Sequence, residues 1–276
     1  MADSSLADTR AQPAPASPLS PALAAIYETV YATDLVYVKD CWKLCGDAHC
    51  CSFQRYKSRY RILAQHPFQE LPLLPGEWAW LQRSGWAAQF EPCEFRVQAT
   101  PVAGRLVQHE SVISRRTGGC ACDHATRPTI CRLYPLLPRF DLQGQLVGVE
   151  RTGLYEEMER IGGLPSACRL EQLPFDQLPA FLALTAALAS SPLLRWHLEA
   201  YRLTKAHVAQ RLQARVQAGT GDVFQAFEAG FLRRALIDKP ALHAELAALM
   251  TDFDRAWPGW DEGMARPAAP QAEDAR

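Results

Sequence analysis

Four cysteines fall within eleven positions near the start of the chain, in the stretch DCWKLCGDAHCCSFQRYKSRY; they are Cys41, Cys45, Cys50 and Cys51. Three or four residues between thiols allow a loop to fold back and present its sulfurs to one ion, as in zinc and iron–sulfur sites. The spacing differs from the C-x2-C of a zinc ribbon, so it predicts a metal site without naming the metal. Because neighbouring side chains diverge, we expect Cys50 and Cys51 to have different roles.

Three more cysteines lie in a second cluster, GGCACDHATRPTICRLYP; they are Cys120, Cys122 and Cys131. Pro128 predicts the start of a short helix with Cys131 in its first turn or just beyond it. There, unbonded backbone N–H groups and the positive end of the helix dipole favour a thiolate. Pro135 is expected to stop this helix after about two turns.

Charged and imidazole side chains beside the cysteines have two interpretations each. Arg127 and Arg132 flank Cys131, and either offset the negative charge of a thiolate-bound metal or are surface charges or salt-bridge partners. His49 and His124 also lie next to cysteines. Mixed cysteine–histidine ligation is open to them, but a hydrogen-bonding or exposed role is favoured.

The remaining two cysteines, Cys93 and Cys168, stand alone, and their spacing by itself favours buried, inert thiols. The chain has nine cysteines in 276 residues. In a reducing compartment, clustered cysteines are typical of metal-binding or catalytic sites rather than disulfides. The odd number also argues against complete intramolecular pairing.

The composition predicts a cytoplasmic protein with no membrane partner. The first 22 residues lack the basic start and apolar run of a signal peptide. The most apolar later run, near residues 178–194, is too short and too interrupted to span a membrane. The formal net charge is −1, so any attraction to nucleic acid must come from a local patch.

The motifs together resemble a known family. The elements C-x3-C-x4-CC, LLPGE, an isolated cysteine and RPTICRLYP occur in that order. They are similar to those of a bacterial cysteine-cluster family described as a zinc- or iron-chelating domain, which includes the flagellin lysine N-methylases. The resemblance covers roughly residues 40–170. It implies that the family cysteines are Cys41, Cys45, Cys50, Cys51, Cys93, Cys131 and Cys168, with either Cys120 or Cys122 as the eighth.

The chain departs from the family pattern at the second cluster. The family usually shows a cysteine, a short aromatic-acidic stretch and then Arg-Pro. Here CACDHAT stands in that place, with two candidate thiols and with His124 where an aromatic residue is common. The sequence therefore leaves open whether Cys120 or Cys122 is a ligand, and all nine cysteines remain candidate metal ligands.

We expect an α+β fold in which a loop-rich, metal-stapled cysteine domain precedes a helical region. The predicted division is a disordered tail at 1–22, a cysteine-cluster domain at 23–170, a helical domain at 171–260 and a second tail at 261–276. All nine cysteines fall in the first domain. Metal binding would then be coupled to its folding.

Local patterns predict individual elements. Glu77 starts a short helix that Gly85 ends. Two strands surround Ala103-Gly104, and a hairpin turns at Gln143-Gly144. In the helical region, three apolar stripes indicate helices that pack through their cores; the stripes are Leu194, Leu198, Tyr201, Val208 and Leu212, then Phe224, Phe227 and Phe231, then Leu242, Leu246, Leu249 and Phe253. Asp222 is a predicted cap, and Pro240 fits the first turn of the last helix.

The stretch FQRYKSRYR interleaves four basic residues with two tyrosines at 53–61. This pattern suits single-stranded nucleic acid, but a solvated basic face near an anionic metal site is favoured. The chain contains none of the common phosphate-loop, dinucleotide, zinc-protease or nucleophile-elbow motifs.

The leading prediction is a cytoplasmic metal-binding protein that holds an iron–sulfur cluster, of the 4Fe–4S type, or zinc. The first alternative is a protein-lysine methyltransferase resembling the flagellin methylases, with a protein substrate. The second alternative is single-stranded nucleic-acid binding through residues 53–61.

Overall fold

A computed structural model describes residues 17–37, 51, 53–65, 69–116, 123–151, 153–165, 174–219, 221–262 and 264. The fold is α+β, with helices, short antiparallel strands and a helical C-terminal region. In the described part of the chain the α-helices are α1 (Pro21–Ala32), α2 (Glu77–Arg83), α3 (Thr129–Leu133), α4 (Leu154–Ile161), α5 (Leu178–Ala189), α6 (Pro192–Gln217), α7 (Val223–Leu232) and α8 (Lys239–Ala256). The strands are β1 (Gln69–Leu73), β2 (Cys93–Val102), β3 (Arg105–Ser114), β4 (Leu136–Phe140) and β5 (Leu146–Arg151).

A three-stranded antiparallel sheet has the order β1-β3-β2. The predicted β2–β3 hairpin is confirmed, and its two-residue turn is Ala103-Gly104. Both residues have positive φ angles, 46° and 76°, as the tightest hairpin turns require. The β3 strand therefore lies in the middle, with β1 on its other side.

The sequence patterns did not predict β1, because Pro72 interrupts its apolar run. Proline lacks the N–H that a central strand needs, so it normally argues against a strand. Here β1 is an edge strand of the described sheet, and Pro72 lies opposite Ser111 of β3. The lack of a backbone N–H at Pro72 therefore does not prevent β1 from pairing with β3.

The second predicted hairpin is also confirmed. Strands β4 and β5 pair from Leu136 opposite Arg151 to Phe140 opposite Leu146. The turn between them closes through a hydrogen bond from Gly144 N to Asp141 O at 3.0 Å, and Gly144 has a φ of 89°.

The three predicted C-terminal helices are α6, α7 and α8. Ser191, Asp222 and Asp238 cap them, each accepting a hydrogen bond from a backbone N–H in the first turn. Most stripe residues are buried, as predicted, but Phe231 is 42% exposed.

The main hydrophobic core joins both ends of the described chain. It contains Tyr27 and Leu35 from the N-terminal part, sheet residues such as Val112, and C-terminal residues such as Trp196 and Trp260. Helix α1 packs against α5, and α8 packs against β2. A second cluster gathers around Phe224, where α4, α6 and α7 meet.

The folded part extends into both segments that the composition assigned to tails. Ser17 is buried, and its backbone N–H donates to Glu110 Oε1 at 2.7 Å. At the other end, Asp261 accepts from Arg105 Nε at 2.8 Å. Packing on the sheet therefore begins before residue 23 and continues past residue 260.

Within the described residues, no single helix has the length and apolar character needed to cross a membrane. The segments Phe175–Ala189 and Pro192–Gln217 meet these criteria only as a pair, and they are bent by 106° at their junction.

Candidate metal centre

One end of the three-stranded sheet gathers two of the candidate ligands. Ser114, the last residue of β3, lies opposite Cys93 of β2 on one side and Gln69 of β1 on the other. Directly opposed residues of antiparallel strands share a face, so the Cα atoms of Gln69 and Cys93 flank Ser114 about 10 Å apart. The Cys51 thiol donates to Gln69 Oε1 at 3.5 Å, which places Cys51 at the same end of the sheet.

The Ser114 end, defined by Cys51, Gln69, Cys93 and Ser114, is well anchored. The Ser114 side chain is fully buried and donates to Phe90 O at 2.7 Å. The Cys51 carbonyl accepts from Glu70 N at 3.2 Å. Cys51 and Cys93 are both half-buried and pack against the main core.

Gln89 holds both described ends of the segment that carries Cys120 and Cys122. On one side, its carbonyl oxygen accepts from Arg116 Nη1 at 2.7 Å. On the other side, its Oε1 accepts from Asp123 N at 3.1 Å and from the Thr126 hydroxyl at 2.6 Å. Gln89 is four residues before Cys93, so the segment begins and ends beside the Ser114 end.

Cys131 lies on α3, which packs against β1 and β4. It is the third helical residue, so the prediction that places it in the first turn is confirmed. The helix ends at Leu133 after five residues, which is shorter than the two turns predicted from Pro135. Cys131 is half-buried and also packs against the main core.

Glu77 connects the LLPGE and RPTICRLYP motifs. This carboxylate is 0% exposed; its Oε1 accepts from Thr129 N and the Thr129 hydroxyl, both at 2.6 Å, and from the Tyr31 hydroxyl at 2.8 Å. Its Oε2 accepts from Leu74 N at 2.9 Å. Burial raises the pKa of Glu77, although these donors act in the opposite direction. Glu77 thus fixes α3, and Cys131 with it, against the turn that precedes α2.

Arg127 and Arg132 have contacts that neither interpretation of the sequence named. Both are buried, with 8% and 2% exposure. Arg127 donates to Leu35 O at 3.0 Å, and Arg132 donates to Thr33 O at 3.1 Å. The Arg132 guanidinium also lies 4.7 Å from the centre of the Tyr31 ring. These two cations therefore tie α3 to the carbonyl groups that follow α1.

The thiol of Cys93 is held in its protonated form. Burial and the adjacent Glu91 carboxylate raise its pKa to about 11. Glu91 Oε2 also accepts from the Cys93 backbone N–H at 3.1 Å. A metal bound by Cys93 would have to displace this proton.

The basic stretch at 53–61 does not form one exposed stripe. The Arg55 side chain is only 4% exposed and pairs with Glu159 at 3.0 Å and with Glu156 at 3.4 Å. Tyr60 is 6% exposed and packs edge-on against Phe224. The interpretation of this stretch as a solvated basic face is therefore wrong for Arg55.

Most of the predicted ligands lie outside the described residues; these are Cys41, Cys45, Cys50, Cys120, Cys122 and Cys168. His49 and the side chain of His124 also lie outside them. Within the described part of the chain, no three histidine, cysteine or acidic side chains are grouped so that they could hold a metal ion. The described cysteines therefore do not form a complete metal site by themselves.

Comparisons of this chain with protein-family models, with curated proteins and with solved structures found no match.

Two residues that organise this region were not identified from sequence. Gln89 has no distinguishing pattern around it, because it is a single polar residue among the apolar residues of a short 3-10 helix, Trp86–Phe90. Glu77 belongs to the LLPGE motif, and the sequence predicted it as the start of a helix without identifying it as a buried acceptor. The signal that was present, an acid at the end of this motif, does not reveal its partner Thr129, which is 52 positions away.

Proposed function

We propose that this chain binds a metal through cysteine thiolates at the Ser114 end of the three-stranded sheet. The observation that carries the proposal is the convergence around β2. Cys51 and Cys93 lie on either side of Ser114, and Gln89 holds both ends of the segment with Cys120 and Cys122. This convergence supports the proposal because one member of the first cluster, Cys51, and the residues that flank Cys120 and Cys122 lie near the same end of the sheet.

The donor set fits an iron–sulfur cluster or zinc. Thiolates are the ligands that both prefer, and Cys93 is a half-buried free thiol. Nine cysteines provide four for a 4Fe–4S cluster and leave others for a second site, which is why we favour iron–sulfur. The resemblance to a family that includes lysine methylases favours the same choice. Two zinc sites of four thiolates each are the alternative.

Cys51 and Cys93 are the described residues that we assign as ligands. Cys131 would join them from α3, whose first turn favours a thiolate. The other candidates are Cys41, Cys45, Cys50, Cys120, Cys122 and Cys168. Bound metal would add its binding free energy to folding by tying these segments to the sheet.

The decisive experiment is anaerobic purification of the full chain, followed by visible absorption spectroscopy and metal analysis. We expect a brown protein with iron and acid-labile sulfide. The variant Cys93→Ser should lose colour and metal. Ser111→Ala, on the same sheet but at a half-buried position away from this end, serves as the matched control and should retain both.

A colourless protein with stoichiometric zinc, still colourless after reconstitution with iron and sulfide, would replace iron–sulfur by zinc. A protein with neither metal after both reconstitutions would refute the proposal. Single variants Cys120→Ser and Cys122→Ser, compared for metal content, would identify which of these two thiols is a ligand.

The two alternatives stay predictions from the sequence. Lysine methyl transfer is tested by S-adenosylmethionine binding to the metal-loaded protein, and no binding would remove it. Nucleic-acid binding is tested by the salt dependence of single-strand affinity. Because Arg55 is engaged with Glu156 and Glu159, neutralising the exposed Arg59 and Arg61 is the informative change.

A further inference from the structure

Arg195, in the first turn of α6, is a buried cation whose hydrogen bonds are incomplete. It is 3% exposed. Its Nη1 donates to Leu142 O at 2.8 Å, and its guanidinium lies 4.7 Å from the centre of a Trp257 ring. Its Nε is buried and has no acceptor among the described residues. Since buried polar groups are almost always bonded, this donor calls for an explanation.

The same guanidinium lines a cavity of about 240 Å³ between the β4–β5 hairpin and helices α6 and α8. The walls are mixed: they carry charged side chains and also apolar ones, which include Phe140, Leu198, Leu249 and Phe253. The volume is below the roughly 300–1,000 Å³ of sites for drug-sized ligands. An occupant of this cavity therefore has only a few carbon atoms.

Three acidic residues also border the cavity, and each is engaged elsewhere. Glu199 pairs with Arg202 at 2.5 Å, and Asp252 pairs with Arg255 at 3.4 Å. Asp141 Oδ1 accepts from the backbone N–H of Gln145 at 2.8 Å.

No described carboxylate lies within ion-pairing distance of Arg195. Burial lowers the pKa of this arginine, and Asp141 acts in the opposite direction. A guanidinium nevertheless stays protonated in proteins. Its positive charge therefore has no contacting counter-ion among the described residues, and it lies next to the positive end of the α6 dipole.

We propose that this cavity binds a small monocarboxylate with an apolar body, whose carboxylate accepts hydrogen bonds from the Arg195 guanidinium. A carboxylate matches the planar guanidinium, and the alkyl part would pack against Leu198 and Phe253. The surrounding acidic residues disfavour anions of higher charge, such as phosphate. This site is separate from the cysteines and does not depend on the metal proposal.

The test is calorimetric titration of the full chain with 4-methylpentanoate, with its neutral amide and with inorganic phosphate. We expect the acid to bind at least about tenfold more tightly than the amide, because a charge-assisted hydrogen bond is lost. Phosphate should not compete. This comparison uses the unaltered protein and so does not depend on how any variant folds.

Two variants test whether the acid binds in this cavity. Leu249→Trp fills the cavity and leaves Arg195 in place, so it should abolish binding of the acid. Arg195→Lys keeps the charge but loses the planar guanidinium, which can donate two parallel hydrogen bonds to a carboxylate. It should therefore weaken binding by at least about tenfold. Leu182→Trp, at a 46% exposed position on α5, is the matched control and should bind normally. Absence of binding to the unaltered chain, equal binding of acid and amide, or undiminished binding to folded Leu249→Trp would each overturn the proposal.

Discussion

Arg55 and Tyr134 lie 79 positions apart in the sequence and meet in the interior, where Arg55 Nη1 donates to the Tyr134 hydroxyl oxygen at 3.2 Å. Arg55 follows the cysteine doublet by four residues, and Tyr134 follows Cys131 by three. Glu156 and Glu159 of α4 complete this buried cluster. The segments after two candidate ligands are therefore joined through a charged network rather than through apolar packing alone.

Replacing Arg55 by methionine should destabilise the fold strongly. Burial lowers the pKa of Arg55, but Tyr134 and the two carboxylates raise it by more than burial lowers it. Without the arginine, Glu156 and Glu159 would be buried without their cation, which costs about 3–5 kcal/mol. Urea denaturation measures this loss. Arg59→Met, at an exposed pair with Asp222, should cost less than about 1 kcal/mol; similar losses in both variants would contradict the cluster's role.

Acidification should destabilise the fold through His197. Burial lowers its pKa to about 4, although its Nδ1 contacts Leu193 O at 2.9 Å. In the unfolded chain a histidine has a pKa of about 6.5. The stabilisation due to neutral His197 is therefore complete above about pH 6.5 and is lost as the pH falls towards 4.

The measurement is the free energy of unfolding between pH 7 and pH 4. His197 borders a small cavity, and solvent there reduces the cost of protonating the buried ring. We therefore expect His197 to account for about 1–3 kcal/mol of the stability lost between pH 7 and pH 4. His197→Gln should remove that share of the slope. Equal slopes in wild type and His197→Gln would contradict the assignment.

Glu91→Gln should make Cys93 more reactive. With a pKa of about 11, about 0.1% of this thiol is ionised at pH 8. Removing the Glu91 charge lowers that pKa, so alkylation by iodoacetamide in chelator-treated protein should accelerate several-fold. Peptide mass mapping at successive pH values reports the rate at Cys93 alone.

The matched control for this reactivity is Glu94→Gln, an exposed β2 residue paired with Arg96. It should leave the rate at Cys93 near the wild-type value. A rate that is unchanged in Glu91→Gln would show that burial alone sets the thiol's reactivity.

Gln89→Ala should reduce metal affinity, on the basis of the proposed function. The side chain bonds Asp123 N and Thr126 on one side of the segment with Cys120 and Cys122. Its loss frees that end of the segment, while the backbone contact with Arg116 remains. We expect metal transfer to a competing chelator to become several-fold faster, with a stability loss of about 1–3 kcal/mol.

Gln98→Ala, at an exposed position on β2, is the control for Gln89 and should release metal at the wild-type rate. If Gln89→Ala loses stability but retains its metal at the wild-type rate, Gln89 supports only the fold.

Local signals in the sequence were sufficient for the elements that depend on local physics. The helix at Glu77, the turns at Ala103-Gly104 and Gln143-Gly144, and the cap at Asp222 were all predicted, because each follows from neighbouring residues. The α+β class follows from these elements together.

Contacts between distant residues could not be predicted in this way. Arg55 and Arg59 each precede a tyrosine in the same short stretch, yet the first is buried and the second is exposed, because their partners are 79 to 163 positions away. No pattern in the sequence around Arg195 singled it out. Its burial depends on a hairpin about 50 positions earlier in the chain.

The shared core has a consequence for synthesis. Tyr27 and Val112 belong to the same core as Trp196 and Trp260. On the ribosome, every cysteine emerges before the helices that complete this core, since all nine precede residue 170. A nascent chain that bound metal early would therefore hold its ion before the hydrophobic core is complete. The core can finish packing only after the last helix has left the exit tunnel.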